Sequence, residues 1–285
     1  MKNYVTISKE LDKEKFRIVA LLAIRNEELY LEKCLEHLYQ QGIEVCIIDN
    51  DSTDNSLNIA LQFLGRGVFR IERQPYKGYF DLCEQLRYKE KLASEIHADW
   101  FIHCDADEIR QAPAHYSNLY QGILAVSIAG YNAINFDEFV FIPLGENETH
   151  ENKDFTGSMR HYYFFEPYSL RRVNAWKKLN SPIDLVNSGG HSVAFSDRKI
   201  SPENFILRHY IGLSAIHLDS KYSKRIFSET EINDFGWHGW RAMFSNYRLS
   251  FPTVENLNLY LGDGKWDKTD PKIEHLFVKE IKDVK

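Results

Sequence analysis

No Cys-x-x-Cys pair occurs among the four cysteines, Cys34, Cys46, Cys83 and Cys104. That absence argues against a disulfide framework and a structural zinc site, so the thiols read as reduced groups of a cytosolic protein. No apolar run approaches the ~20 residues a membrane-spanning helix needs, and the longest, Ile18 to Ile24, is a strand's length. The stretch Met1 to Phe16 is rich in Lys and Glu and has no apolar segment of signal-peptide length. A cytoplasmic chain is therefore expected, with at most peripheral membrane contact. Charge of one sign is also scarce: 35 Lys and Arg stand against 41 Asp and Glu, interspersed, for a formal net charge of -6. Without a basic face, nucleic acid is excluded as the first choice of partner. No internal repeat, low-complexity tract or Pro/Gly/Ser-rich linker breaks the chain, and no motif speaks to oligomeric state.

What is present is an alternation of short apolar runs with longer amphipathic ones, which predicts βαβ units and a mainly parallel sheet. Strands are expected at Ile18 to Ile24, Val45 to Ile48, Val68 to Ile71 and Trp100 to Cys104. Helices are expected at Glu27 to Gln40, Asn55 to Leu64 and Phe80 to His97. Beyond Ile109 a helix at Ser117 to Ala129, a strand at Tyr131 to Ile142 and a last short strand at Ile206 to Tyr210 follow. Gly145 to Gly157 reads as a polar loop. The aromatics Tyr162, Tyr163, Phe164, Phe165, Tyr168 and Trp176 read first as core. Residues 1–215 are expected to form one α/β domain, and 216–285 a mostly helical extension packed on it.

Asp105-Ala106-Asp107-Glu108 follows the apolar run Trp100 to Cys104. A buried strand that ends in carboxylates delivers them to the C-terminal edge of a sheet, where open α/β folds bind ligands. Two aspartates at alternate positions can share one hard divalent cation, Mg²⁺ or Mn²⁺, and such a cation can hold a diphosphate. An isolated acidic turn that caps the next element is the bland reading of the same residues.

The order of motifs decides between the two. Ala23-Ile24-Arg25-Asn26-Glu27-Glu28, a helix, Ile47-Ile48-Asp49-Asn50-Asp51-Ser52-Thr53-Asp54, and later a strand ending in Asp-x-Asp resemble the opening of a family 2 glycosyltransferase of the GT-A fold. Leu207-Arg208-His209-Tyr210 with Ser214, Lys221-Tyr222 and Arg225 resembles a series found in bacterial members of that superfamily. The chain has Asp49-Asn50-Asp51 where Asp-Asp-Gly is usual.

The resemblance implies a metal-dependent enzyme moving a sugar from a nucleotide-diphosphate donor to a glycan or other hydroxyl acceptor, in polysaccharide or surface-glycan biosynthesis. It implies Arg25, Glu27, Asp49 and Asp51 at base and ribose, with Asp105 on the cation or ribose and Asp107 on the cation. Lys77 and Arg87 are placed near the diphosphate, with Lys221 and Arg225 as further cations. Glu108 is expected to face away or cap a turn. His191, in Ser188-Gly189-Gly190-His191-Ser192, and His209 compete for one further metal position, and an imidazole would favour Mn²⁺. An inverting reaction, the favoured course, needs a carboxylate to deprotonate the acceptor. Asp137 and Glu138 lie mid-strand in apolar sequence, where acids are costly unless functional or partnered; Glu166 and Asp184 are the reserves. A phosphatase or nucleotidyltransferase would want its acidic or Gly-rich motif at the first strand, which has neither. A non-catalytic nucleotide-sugar or carbohydrate-binding protein is the remaining alternative.

Overall fold

A computed structural model describes residues 16–281. The reading of Met1 to Phe16 as lacking a leader lies almost wholly outside the described residues. In chain order the elements are β1 (Ile18–Ile24), α1 (Glu28–Gln40), β2 (Glu44–Asp49), α2 (Ser56–Gln62), β3 (Val68–Arg73), α3 (Leu82–Glu95), β4 (Trp100–Cys104) and β5 (Glu108–Gln111). They continue with α4 (Leu119–Ile128), β6 (Ala133–Phe141), α5 (Phe155–Ser158), β7 (His161–Phe165), β8 (Val173–Lys177) and β9 (Phe205–Tyr210). The last are α6 (Ala215–Ser223), α7 (Glu229–Asn233), β10 (Tyr247–Leu249), β11 (Asn258–Leu259) and β12 (Val278–Glu280). The expected α/β architecture, a mainly parallel sheet with flanking helices, is what the chain forms.

Contacts divide the chain into two compact units. Of the described residues the first comprises 16–76, 83–137 and 170–207; the second comprises 77–82, 138–169 and 208–281. This division does not follow the 215/216 boundary expected from sequence, because β6 and β9 each run from one unit into the other and strand pairing joins segments far apart in sequence.

In the first unit the strand order is β6-β8-β4-β1-β2-β3. β1 pairs in parallel with β2 and β4, β2 pairs in parallel with β3, and β8 lies antiparallel to both β4 and β6. β1 is apolar throughout and buried along nearly its whole length, as a central parallel strand covered on both faces must be. Helix α1 buries one stripe, Tyr30, Leu31, Cys34, Leu35 and Leu38, at i, i+3 and i+4 spacing. Each such buried aliphatic side chain stabilises the unit by roughly 1.5–3 kcal/mol.

The second unit pairs β7 antiparallel with β6 and with β11, and β10 antiparallel with β12. Its core gathers Val140, Ile142, Tyr163, Phe165, Ile211, Leu218, Tyr222 and Phe277. The aromatics of β7 are core, as expected, whereas Tyr168 is exposed. The described residues 216–281 hold most of α6 and all of α7, and otherwise 3₁₀ turns and short strands, with less helix than expected. Gly236, Gly239, Gly262 and Gly264, all at positive φ, break that segment into turns.

Candidate donor site at three strand ends

The parallel register brings the ends of β1, β2 and β4 to one edge of the first unit: Ile24 lies opposite Asp49, and Leu22 opposite Cys104. The segments that follow, Arg25-Asn26-Glu27, Asn50 to Asp54 and Asp105 to Glu108, therefore emerge side by side.

The first two turns are laced together. Asn26 and Asp51 take left-handed backbone conformations (φ 57° and 52°), which Asn and Asp tolerate better than most residues. The N–H of Asn26 donates to Ser52 Oγ (3.1 Å), that of Glu27 to Ser56 Oγ (2.7 Å) and that of Glu28 to Asp54 Oδ2 (3.1 Å). In return the N–H of Thr53 donates to Asn26 Oδ1 (2.7 Å) and that of Asn55 to Glu28 Oε2 (3.0 Å). Arg25 Nη1 donates to the carbonyls of Asn50 (2.5 Å) and Asp51 (2.8 Å), and its guanidinium lies 3.3 Å from the Tyr76 ring centre. Asp51 accepts from Arg73 (2.5 and 3.1 Å) and from the N–H of Tyr76 (3.0 Å). Arg73 is the main reason its carboxyl is held below the usual carboxylate range.

Asp49, at the end of β2, has no solvent exposure. Its Oδ1 accepts the N–H of Ser52 (3.1 Å), while Oδ2 is buried with no hydrogen-bond partner. Burial pushes this carboxyl up from its ordinary value, against the pull of the Ser52 hydrogen bonds. Beside it Gln74 donates its N–H to the Asp49 carbonyl (2.9 Å), and Gln74 Oε1 is a second buried acceptor with no donor.

At the third strand end Asp105 is half-exposed, with 51% of its side chain accessible, and Asp107 is buried. Glu108 closes the turn by accepting the N–H of Asp105 (3.2 Å), the capping role expected of it. It is buried between Arg110 (2.7 Å) and Arg172 (3.7 Å). Beneath Asp105 lies Lys89 of α3, buried, with Nζ 3.1 Å from His103 Nδ1, 3.1 Å from the Cys104 carbonyl and 3.7 Å from Asp105 Oδ1. Burial lowers the pKa of Lys89, with Asp105 opposing. Burial, then the neighbouring Lys89 charge, drives His103 well below its ordinary value, so its ring is neutral and Nδ1 is the acceptor.

The other expected residues fall as follows. His191 has an arginine at each ring nitrogen: Arg172 Nη1 is 3.2 Å from Nδ1 and Arg171 Nη2 is 3.3 Å from Nε2. His209 and Glu138 form a buried pair in the second unit, Nδ1 to Oε1 at 2.7 Å. Asp137, the other acid of β6, accepts from Asn204 Nδ2 (2.8 Å) in the first unit. Lys77 pairs with Asp81 (3.5 Å) in the second unit, and Arg87 is exposed on α3. Lys221 donates to the Ile211 carbonyl (3.3 Å) and Arg225 covers Phe80. Asp184 accepts the N–H of Asn187 (2.9 Å), and Glu166 follows β7 directly. Among the described residues no group of three or more His, Cys, Asp or Glu side chains is placed to hold a metal ion.

Sequence reasoning missed Lys89, Arg73, Gln74 and the Arg110–Glu108–Arg172 cluster. Lys89 had a signal: it shares the buried helical face with Leu86, Leu92 and Ala93, a core position occupied by a cation. Arg172 and Gln74 lie in segments whose neighbours are set only by tertiary pairing.

Residues 20–112 match the family model described as glycosyl transferase family 2. The lipopolysaccharide core biosynthesis glycosyltransferase LpsC of Rhizobium meliloti (strain 1021) is 30% identical over 95 residues, 33% of each chain. This chain thus aligns with only a third of that relative's length. An uncharacterized glycosyltransferase of Rickettsia typhi is 26% identical over 246 residues, covering 82% of this chain and 72% of that protein. The crystal structure of S. aureus TarS 1-349 in complex with UDP aligns with a TM-score of 0.46 at 11% identity, covering 73% of this chain and 63% of that one. The family match falls on the segment that contributes all three strand ends.

Proposed function

We propose that this chain transfers a sugar from a nucleotide-diphosphate donor to a hydroxyl of a glycan acceptor, as a step in polysaccharide or surface-glycan assembly. The observation that carries the donor reading is Asp49 Oδ2, a fully buried acceptor with no donor, at the end of β2. A buried carboxylate oxygen is costly unless something donates to it, and the imide N–H of uracil or an amino group of another base supplies such a donor. Arg25, Glu27 and Asp51 then act at the rim: Arg25 and Asp51 hold the turn in shape, and Glu27 opens α1 beside the ribose position.

Asp105 and Asp107 fit a hard cation such as Mn²⁺ or Mg²⁺. They supply oxygen donors at alternate positions, and an ion of this kind is commonly bound by one or two carboxylates with substrate phosphates completing its shell. When bound, it would stabilise the negative charge that develops on the leaving diphosphate. His191, faced by two guanidinium groups, suits an anion such as the diphosphate. Arg87, exposed on α3, is a long cation that can follow the same charge. Asp137 would take the acceptor's proton, which would give an inverting course.

Transfer assays and donor-binding calorimetry on the purified protein test these roles. Asp107→Asn should cost at least about a hundredfold in transfer while the thermal melt stays within a few degrees of wild type. Asp137→Asn should abolish transfer and leave donor binding intact. Wild-type transfer rates in Asp107→Asn would sink the cation reading, and an active Asp137→Asn beside a dead Glu138→Gln would move the base to Glu138.

A further inference from the structure

Arg208 of β9 is more than nine-tenths buried, yet among the described residues no carboxylate lies within 4.0 Å of its guanidinium. Its Nη2 donates to the Thr156 carbonyl (2.8 Å) and to the Tyr210 hydroxyl, while Nε is buried with no acceptor. Nη1 makes no hydrogen bond among the described residues either, and it is not closed off from solvent. The Tyr210 hydroxyl does not neutralise the charge, because burial pushes its pKa up and keeps it protonated. The rings of Phe141, Tyr210 and Tyr260 have their centres 5.3, 5.3 and 4.9 Å from the guanidinium carbon. They attract the cation through their faces but give its N–H groups no lone pair. A charge taken out of water in this way is costly unless a counter-charge reaches it.

A second guanidinium shares Tyr260. Arg160 Nε donates to the Tyr260 carbonyl (3.0 Å), and the Tyr260 N–H donates to the Arg160 carbonyl (2.9 Å), which extends the β7–β11 pairing by one residue. Arg160 is exposed and, among the described residues, also has no carboxylate within 4.0 Å. The Tyr260 ring is held by stacking on Trp266 (4.5 Å between centres), which stacks in turn on Phe139 (4.4 Å). The acids of this region are engaged elsewhere. Asp154 lies against Gly157, where an added Cβ would stand 2.6 Å from its Oδ2. Asp263 and Asp267 accept the N–H groups of Lys265 (3.1 Å) and Thr269 (2.9 Å). All these residues belong to the second unit.

We propose that Arg208 and Arg160 form a binding site for an oxyanion, a phosphate or carboxylate group, carried by the acceptor glycan. Guanidinium groups match the geometry of both anions, and an anion seated here supplies the acceptor that Nη1 lacks. The inference rests on the glycan-acceptor reading above and narrows it: the acceptor is an acidic saccharide.

The test is titration of the whole purified protein, followed by nuclear magnetic resonance, with glucose, glucuronic acid, glucose 6-phosphate and inorganic phosphate at one ionic strength. Wild type should bind at least one of the two acidic sugars about tenfold or more tightly than glucose, and the preferred one identifies the anion. Arg208→Met should shrink that preference to less than about threefold. Arg160→Met, a change at an exposed side chain, should reduce it by about threefold or more. An arginine with a merely structural role predicts that glucose and the acidic sugars weaken together in Arg208→Met. Equal binding of glucose and both acidic sugars by wild type overturns the proposal, as does a full preference in folded Arg208→Met. Where Arg208→Met does not fold, an unchanged preference in Arg160→Met overturns it. Inorganic phosphate binding as tightly as glucose 6-phosphate, with no preference for glucuronic acid, overturns the assignment to a saccharide. Transfer from a nucleotide sugar to neutral and acidic acceptors at equal kcat/KM overturns this inference and leaves the transferase reading standing. Arginine-dependent binding of acidic sugars, with no transfer from any nucleotide sugar, removes that reading and leaves the oxyanion site.

Discussion

Asp49 shows at the scale of one residue how a buried, unmatched carboxyl opposes stability. Burial raises its folded pKa above the ordinary 3.8. An acid with a raised folded pKa holds its proton more tightly in the folded chain than in the unfolded one. Its contribution to stability is complete below the unfolded value and is lost as pH rises through the folded one. At neutral pH the ionised carboxylate is therefore a liability. Asp49→Asn should melt higher than wild type at pH 7, with the gap closing as pH falls toward the ordinary carboxyl value, while nucleotide binding drops by about tenfold or more. Thermal melts across pH, with and without UDP, check both halves. A destabilised Asp49→Asn at pH 7 would mean that the carboxylate is satisfied in the fold.

This residue was legible in the sequence as a strand-end carboxylate. Its burial and its unmatched oxygen were not, since both depend on β3 closing over it. Asp51 illustrates the converse: the sequence offers it equally for ligand contact, yet Arg73, brought alongside by the β2–β3 pairing, engages its carboxylate.

At the scale of elements, periodicity located β1, β2, β4, α1 and α4 to within a few residues. These elements are buried on one or both faces and carry long apolar patterns. β5 and β8 were missed because each is only four or five residues long and carries polar residues whose partners come from elsewhere in the chain: Glu108 on β5 pairs with Arg172 (3.7 Å), and Asn174 on β8 donates to the Gly190 carbonyl (2.9 Å). Helix α4 depends on a close approach. A Cβ at Gly122 would lie 2.8 Å from Ala112 Cβ and 3.0 Å from the Phe205 ring. Gly122→Ala, which in an exposed helix would stabilise by about 1 kcal/mol, should here destabilise by about 1–3 kcal/mol through overpacking. Urea denaturation measures the sign, and a stabilised variant would show that the helix can move away.

At the scale of the whole molecule the residues of the three strand ends lie inside the first unit, where the family match also falls for the most part, whereas Glu138, His209 and Lys77 belong to the second. Fold class and the meeting of the three strand ends were therefore readable from motif order, and the rest was not, because the later segments carry no comparable motif.

Seven amides in the first two turns, those of Asn26, Glu27, Glu28, Ser52, Thr53, Asn55 and Ser56, each donate to a side chain within the turns. A wall fixed in this way has little backbone entropy left to lose when a nucleotide arrives. Hydrogen exchange at these amides should be slow already in the free protein and should change less than about tenfold on saturation with UDP. Protection that appears only with the nucleotide would mean that the turns order around it. Recognition by a wall set in advance proceeds at the rate of encounter, with no waiting time for a loop to fold.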